Sequence, residues 1–587
     1  MARASASMTM GIPLGENARR GRWLRDVNFS WSAVLPFVLL GFMLVTIAYP
    51  TALLFVKSFT TNRPGQPTAW GLQAWITAFN DKTLASAFAN TFSLAAVRVA
   101  ITTSLAIFFA WVVSRTDTPG RGFIEVALWL GFFLPLLPMT IGWILLLDPH
   151  HGLLNKFLQK VFTLSSPPFN VFSYWGIVWC HLAFQTSIRF LLITPAFKSM
   201  DAALEEAAQT SGSGNLGTLL RITVPILAPA ILASTAIGFI KSLESFEIEL
   251  VLGVPARLYV LPTKIYDFVH AMPPLYGEAT ALCTIFLLFV FILIGVQRKL
   301  LKGKEYTTIT GRGYARRVSA LGSWRWVIFT LCLGFILITI VLPLATLLIG
   351  TFMNVFGFFD LQSTWTTRHW TRTFTDAAFF TSILNTIFIA FGAGLTGTVL
   401  YSLISYLIVR THFAGRGLVE LLCWIPWALP GILLSLGLLW AVLGSGAFIR
   451  AFYGTLFLLI LAIIIKETPV GTQITRASIL QISNELEEAA AVSGASRFSA
   501  FRQILLPLLR PTLLAVGIIL FISALREIPA VLLLSTHQLR TVSLLMLDYT
   551  TEGEFERAAV VGVSIVFLIL LMLLISRIVG LRLFAEQ

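Results

Sequence analysis

Three stretches of this sequence keep ionisable side chains in apolar surroundings: Glu244, Glu247 and Glu249; Lys466-Glu467; and Arg526-Glu527. A charge inside a membrane span costs about 2.5–3.5 kcal/mol on insertion scales, so one that persists must pair with another buried group or meet a passing solute. Lys466-Glu467 stands out, because Phe184-Gln185 occupy the matching positions earlier in the chain. Two readings follow: Glu467 is a negative site on a pathway, with Gln185, Lys466, Glu244 and Glu247 beside it, or these groups tie a bundle together. The acidic cluster has a third reading, as solvated groups at an outer membrane face. His150-His151 has no third ligand nearby and reads as a loop pair; no metal site is assigned. No catalytic residue or cofactor is implied. The phosphate-cradling pattern G-x-x-x-x-G-K-[ST] is absent, since Gly303-Lys304 is followed by Glu305 and lacks the upstream glycine. Any ATP hydrolysis that drives this chain must occur on another one.

A second kind of chemistry, docking, is suggested by a polar segment that occurs twice. Glu206-Ala207-Ala208 is followed after three residues by Gly212, then by Ile222 and Pro225; Glu488-Ala489-Ala490 is followed identically by Gly494, Ile504 and Pro507. The offset is 282 (206 to 488) and also carries Leu204 to Leu486, Pro229 to Pro511 and Phe239 to Phe521. This is a gapless internal repeat. Each copy opens with strong helix formers and acidic residues, where the helix dipole favours them. Gly212 with Gly214, and Gly494, should end the helices by taking positive φ, and Asn484 is placed to cap the second. Two short helices with a bend, small side chains at the knob and a charged rim suit insertion into a partner's cleft.

The elements that carry these residues are membrane spans. Of the 587 residues 57% are hydrophobic and 12% charged, against about a quarter charged in soluble domains. Twelve runs of roughly 20 residues can be drawn, with the third kinked at Pro135 and Pro138. Cys180, Cys283, Cys332 and Cys423 follow no metal or disulfide spacing. The net charge of +14 is topological: Arg3, Arg19, Arg20, Arg22 and Arg25 precede the first span, and Arg298 to Arg325 holds a second basic run. Both belong on the cytoplasmic side, against anionic lipid; no pattern for nucleic acid accompanies them. The expected layout is a cytoplasmic tail 1–30, a first half 31–296 with its loop at 201–225, a basic linker 297–325, and a second half 326–587 with its loop at 483–507. Asn90-Thr91 and Arg115…Gly120-Arg121-Gly122…Glu125 recur as Asn385-Thr386 and Arg410…Gly415-Arg416-Gly417…Glu420 at an offset of 295 (115 to 410). The offset falls to 282 across the outer loop 444–453, the short counterpart of 148–173. Both repeated loops then face the same side, so the halves are parallel, related by an axis along the membrane normal.

The paired Glu-Ala-Ala…Gly segments resemble the EAA loops of binding-protein-dependent ABC importer permeases. The resemblance covers both halves and implies an all-α type I permease fold of about twelve helices in two parallel-related six-helix halves. It further implies two copies of a cytoplasmic ATPase subunit docked at Glu206, Ala207, Ala208, Gly212 and at Glu488, Ala489, Ala490, Gly494, an extracytoplasmic substrate-binding protein, and residence in a bacterial inner membrane with both termini cytoplasmic. The turn Arg115-Thr116-x-x-Pro119-Gly120-Arg121 and the Phe-rich spans are most similar to the ferric-iron type. Permeases for 2-aminoethylphosphonate, thiamine or polyamines share the loop, and a twelve-span secondary transporter would share the parallel halves without explaining two docking loops.

Overall fold

A computed structural model describes residues 31–61, 68–301, 318–359 and 361–578. The N-terminal arginines and the linker charges from Lys302 to Arg317 lie outside the described residues. Among the described residues eight unbroken helices are long and apolar enough to cross a bilayer, and four bent pairs qualify as units, giving twelve spans when each pair counts once. In chain order the first half has Val34–Lys57, Leu84–Arg115, the pair Arg121–Phe133 and Leu136–Leu147, the pair Tyr174–Cys180 and Leu182–Ser199, the pair Asn215–Ile226 and Ala228–Leu243, and Tyr276–Gln297. The second has Trp324–Gly350, Ala377–Arg410, the pair Arg416–Ala428 and Gly431–Leu443, Leu456–Gln481, Phe498–Arg526 and Phe555–Ile578. Strand pairing among the described residues is limited to a two-residue hairpin and two isolated bridges.

The third and ninth spans do more than kink. They turn by 102° and 116°, at Leu134-Pro135 and Leu429-Pro430, where both prolines take extended backbone angles. Pro138 contributes nothing to the turn: it lies in the first turn of Leu136–Leu147, where no intrahelical N–H is required of it. The fifth span bends by 75° while its counterpart Phe498–Arg526 runs unbroken. Pro225 and Pro229 match Pro507 and Pro511, so the prolines alone do not decide that bend.

The first span of each half packs against the third span of the other. Wide π turns at Leu44–Ala48 and Leu337–Val341 precede Pro50 and Pro343, absorbing the lost backbone donor. Each proline meets a glycine across the halves. A Cβ on Gly142 would lie 2.1 Å from the Pro343 carbonyl oxygen, and one on Gly437 3.0 Å from that of Pro50. The halves are interlocked rather than merely abutted, and one hydrophobic cluster runs through both.

Candidate functional site

The two repeated loops fold alike. Helices Ala203–Thr210 and Glu485–Val492 end at Gly212 and Gly494, whose φ angles are +89° and +85°. The Ser213 N–H donates to the Ala208 carbonyl at 3.0 Å and the Ala495 N–H to that of Ala490 at 2.9 Å, the six-to-one bond that closes a helix once a left-handed residue follows it. The last alanine of each motif thus supplies the closing carbonyl. Asn484 makes no side-chain cap. The bond comes from one residue earlier: Asp201 Oδ1 accepts from Ala203 N at 2.9 Å and Ser483 Oγ from Glu485 N at 3.3 Å. Glu488, Ala489, Ala207, Gly212 and Gly494 are exposed, Glu206 and Ala490 are half-buried, and Ala208 is buried. Beside them Leu204 and Leu486, and Leu216 and Phe498, stand exposed at matching positions.

The pathway candidates converge where the halves meet. Glu244, capping Ala228–Leu243, pairs with Lys241 at 3.1 Å, and the Lys241 ammonium lies 6.0 Å from the Trp427 ring of the second half. Lys466 pairs with Glu527, while Glu467 Oε1 accepts from Ser523 Oγ at 2.7 Å. Arg526 reaches the first half, donating to the Phe132 carbonyl at 2.7 Å. Its guanidinium lies 5.3 and 5.4 Å from the rings of Phe132 and Phe184. Phe132 and Trp427 are equivalent at the offset of 295, so each half offers an aromatic ring, just before its broken-helix turn, to a cation of the other. Glu244 lies within electrostatic reach of Lys466 and Glu527, and Glu247 of Arg526, Lys466 and Glu527. Glu247 also lines a small cavity with Pro135, Pro138, Arg526, Ser543 and Ile565.

Gln185 lies apart from that junction. Its amide donates to Ser242 Oγ at 3.4 Å and its side-chain carbonyl accepts from Arg189 at 3.3 Å. It belongs to a first-half network centred on Arg98, which bonds Glu249 at 2.5 Å and the Ser242 carbonyl at 3.0 Å. Glu249 is wholly buried and also contacts His181 at 3.3 Å and Ser245 at 2.6 Å. Glu249 is therefore not a solvated group, whereas Glu244 and Glu247 are half-buried. Arg98 and Arg189, 1% exposed each, were detectable in the sequence as lone arginines within apolar runs, the signal that marked Lys466. His150 and His151 are held by backbone bonds to Asp148 Oδ1 at 2.7 and 2.8 Å, and among the described residues no group of three possible ligands is placed to hold a metal ion.

Twelve interlocked spans in two like halves, twin loops at one end and a charged junction between the halves define a membrane transport protein. Residues 402–584 match the family described as binding-protein-dependent transport system inner membrane component. The chain is 31% identical over 194 residues to the molybdenum transport system permease protein ModB of Haemophilus influenzae, covering 32% of this chain and 79% of that protein. It is 25% identical over 565 residues to the ferric transport system permease protein FbpB of Actinobacillus pleuropneumoniae, covering 95% of this chain and 80% of that one. A putative ferric transport permease, FbpB 1 of Haemophilus influenzae, is 26% identical over 87% of this chain and 79% of its own length. The chain belongs to the binding-protein-dependent inner membrane components, and its fold is that of a type I ABC importer permease.

Proposed function

We propose that this chain forms the whole transmembrane passage of an importer of ferric iron, with halves 31–296 and 326–587 joined by the linker 297–325. Two cytoplasmic ATPase subunits dock at Glu206, Ala207, Ala208, Gly212 and at Glu488, Ala489, Ala490, Gly494. The observation that carries the docking is the duplicated loop with matched exposed apolar residues, Leu204 with Leu486 and Leu216 with Phe498. Solvated apolar residues beside a small-residue knob make a surface that a partner would cover. A binding protein delivers substrate at the opposite end, and both termini lie on the ATPase side.

The passage runs through the junction of Glu244, Glu247, Lys466 and Glu467, with Gln185 set behind it. Four carboxylates, those of Glu244, Glu247, Glu467 and Glu527, face three cations there. Passage requires binding weak enough to release, and oxygen groups already engaged by Lys241, Lys466 and Ser523 offer a transit station rather than a cage. Similarity to the two ferric transport proteins over most of the chain favours iron over molybdenum, whose relative matches a third of it. The test is uptake by proteoliposomes containing the chain, its ATPase and its loaded binding protein. ATP-dependent accumulation of ferric iron is expected; transport of molybdate, 2-aminoethylphosphonate, thiamine or a polyamine instead would overturn the substrate. Uptake driven by an ion gradient without ATP would overturn the class.

A further inference from the structure

Each half contains an arginine that grips two elements at once, and the grip recurs with equivalent partners: the same guanidinium nitrogen, Nη2, donates to the same pair of carbonyls, while the matching carboxylate faces Nη1 in the first half and Nε in the second. Arg115 is the last residue of the second span. Its Nη2 donates to the carbonyls of Phe197 at 2.7 Å and Met200 at 2.5 Å, and its Nη1 lies 3.6 Å from Glu205. Arg410, the last residue of the eighth span, donates to Ile479 at 3.0 Å and Ile482 at 2.5 Å and lies 2.9 Å from Glu487. The carbonyls terminate the fourth and tenth spans, and the carboxylates lie in the first turns of the two EAA helices.

The arginines correspond at an offset of 295 and their three partners at 282. The contact has therefore kept its form across a thirteen-residue change in the intervening loop. The neighbours of the carboxylates differ: Glu205 accepts from Thr223 at 2.6 Å and Glu487 from Tyr406 at 3.2 Å. What the halves share is the arginine and its three partners. A planar guanidinium suits this task, since it can satisfy orphan carbonyls at a helix C-terminus and a carboxylate together, which an ammonium on a flexible stem does less well.

We propose that Arg115 and Arg410 are the positioning residues that transmit movement of the docked EAA helices to the second and eighth spans. The mechanism rests on the reading that those helices dock the ATPases. A push on either EAA helix acts on Glu205 or Glu487 and, through the guanidinium, on the end of a long unbroken helix. In the first half that helix carries Arg98 seventeen residues further on, about 25 Å of rise, into the network beside Lys241 and Glu244.

The experiment compares Arg410→Gln, Arg410→Lys, the same pair at Arg115, and the double variant Gly212→Val/Gly494→Val, each in the full chain reconstituted with its ATPase and loaded binding protein. ATPase capture, basal hydrolysis, stimulation by the binding protein, and substrate imported per ATP are measured. The glutamine variants should retain ATPase capture and basal hydrolysis within about twofold while import per ATP falls at least about tenfold, and the lysine variants should recover part of it. Unchanged import per ATP in both glutamine variants overturns the proposal. So does a loss that follows only from lower protein level or lost ATPase capture, which marks a structural brace. The two readings separate at the double variant Gly212→Val/Gly494→Val: capture retained there removes the docking reading, whereas capture lost there with normal import per ATP in both glutamine variants removes the bracket alone.

Discussion

Lys466 and Glu467 are adjacent in sequence but bond different partners. Lys466 takes Glu527 as its partner and Glu467 takes Ser523, so Glu467→Gln leaves the lysine paired and keeps an oxygen for the serine. That variant should reach normal levels in the membrane while uptake falls severalfold; normal uptake would remove Glu467 from the passage. Glu249→Gln should behave oppositely. It removes the counter-charge of Arg98 in a fully buried site, even though an oxygen remains to accept from the guanidinium, and a buried charge stripped of its partner costs about 3–5 kcal/mol, so the loss should appear as reduced folded protein. A third cluster, outside the spans, responds to pH. Lys264 lies 3.0 Å from Asp81 and 2.8 Å from Asp267. Burial alone would raise Asp81, but bonds from Thr83 and Lys264 outweigh it and hold the carboxyl below its usual 3.8. Burial alone would lower Lys264, but Asp267 and Asp81 outweigh it and hold the ammonium above 10.5. The aspartate's contribution is complete above 3.8 and lost as pH falls through its depressed value; the lysine's is complete below 10.5 and lost as pH rises through its raised one. Proteolysis of helix Leu261–His270 should stay flat through neutrality and rise only outside those limits, and an opening transition near neutral pH would refute the linkage.

At the scale of elements, the loops were the most legible part of the sequence because their signals are local: acidic residues, alanines and a glycine in fixed order. The structure gives Gly212 and Gly494 positive φ with no atom within 4 Å of an added Cβ. A β-branched residue there is opposed by backbone strain alone, of about 1–3 kcal/mol, with no clash to disturb the spans. The double variant Gly212→Val/Gly494→Val should insert normally and lose ATPase co-purification, and retained co-purification with normal uptake would remove the docking reading. The bends were less legible. Pro135 and Pro138 announced a disruption without showing that only Pro135 turns the chain, because a proline's effect depends on whether its missing N–H had a helical partner to lose. The cap at Asp201 and Ser483, one position before Asn484, was hidden for a similar reason, since either residue type fills that role in sequence.

At the scale of the whole molecule, the repeat revealed two halves but not their interlocking. Periodicity records which faces are apolar, and every face of these helices is apolar, so no pattern says whether the first span stays with its own half. The close approaches do say so: Pro343 against Gly142 and Pro50 against Gly437, with the Thr346 hydroxyl donating to the Gly142 carbonyl at 3.1 Å. Arg98 and Arg189 are equally particular to one half, with Ala393 and Gly471 at their matching positions. Arg189 lies against Gly238, where a Cβ would come within 2.6 Å of its guanidinium, whereas the second half has Gly471 at the matching position with the Tyr401 ring filling the space. Such exchanges of bulk between partners preserve volume while sequence identity between the halves disappears, and each half is fitted to the other's first span. It follows that the halves should fail as independent units. A first half expressed alone exposes the Gly142 surface that the seventh span covers and should accumulate at a small fraction of the level of the intact chain. Co-expression of residues 1–310 with 311–587 should restore much of that level, with the two pieces purifying together, because the contacts that hold them run through the bundle. Equal accumulation of the first half with and without the second would show that the exchanged spans contribute little to assembly. A further variant locates the effect: Gly142→Leu, which sets a side chain against the Pro343 backbone, should abolish the co-purification of the split pieces while leaving the isolated first half no worse than before.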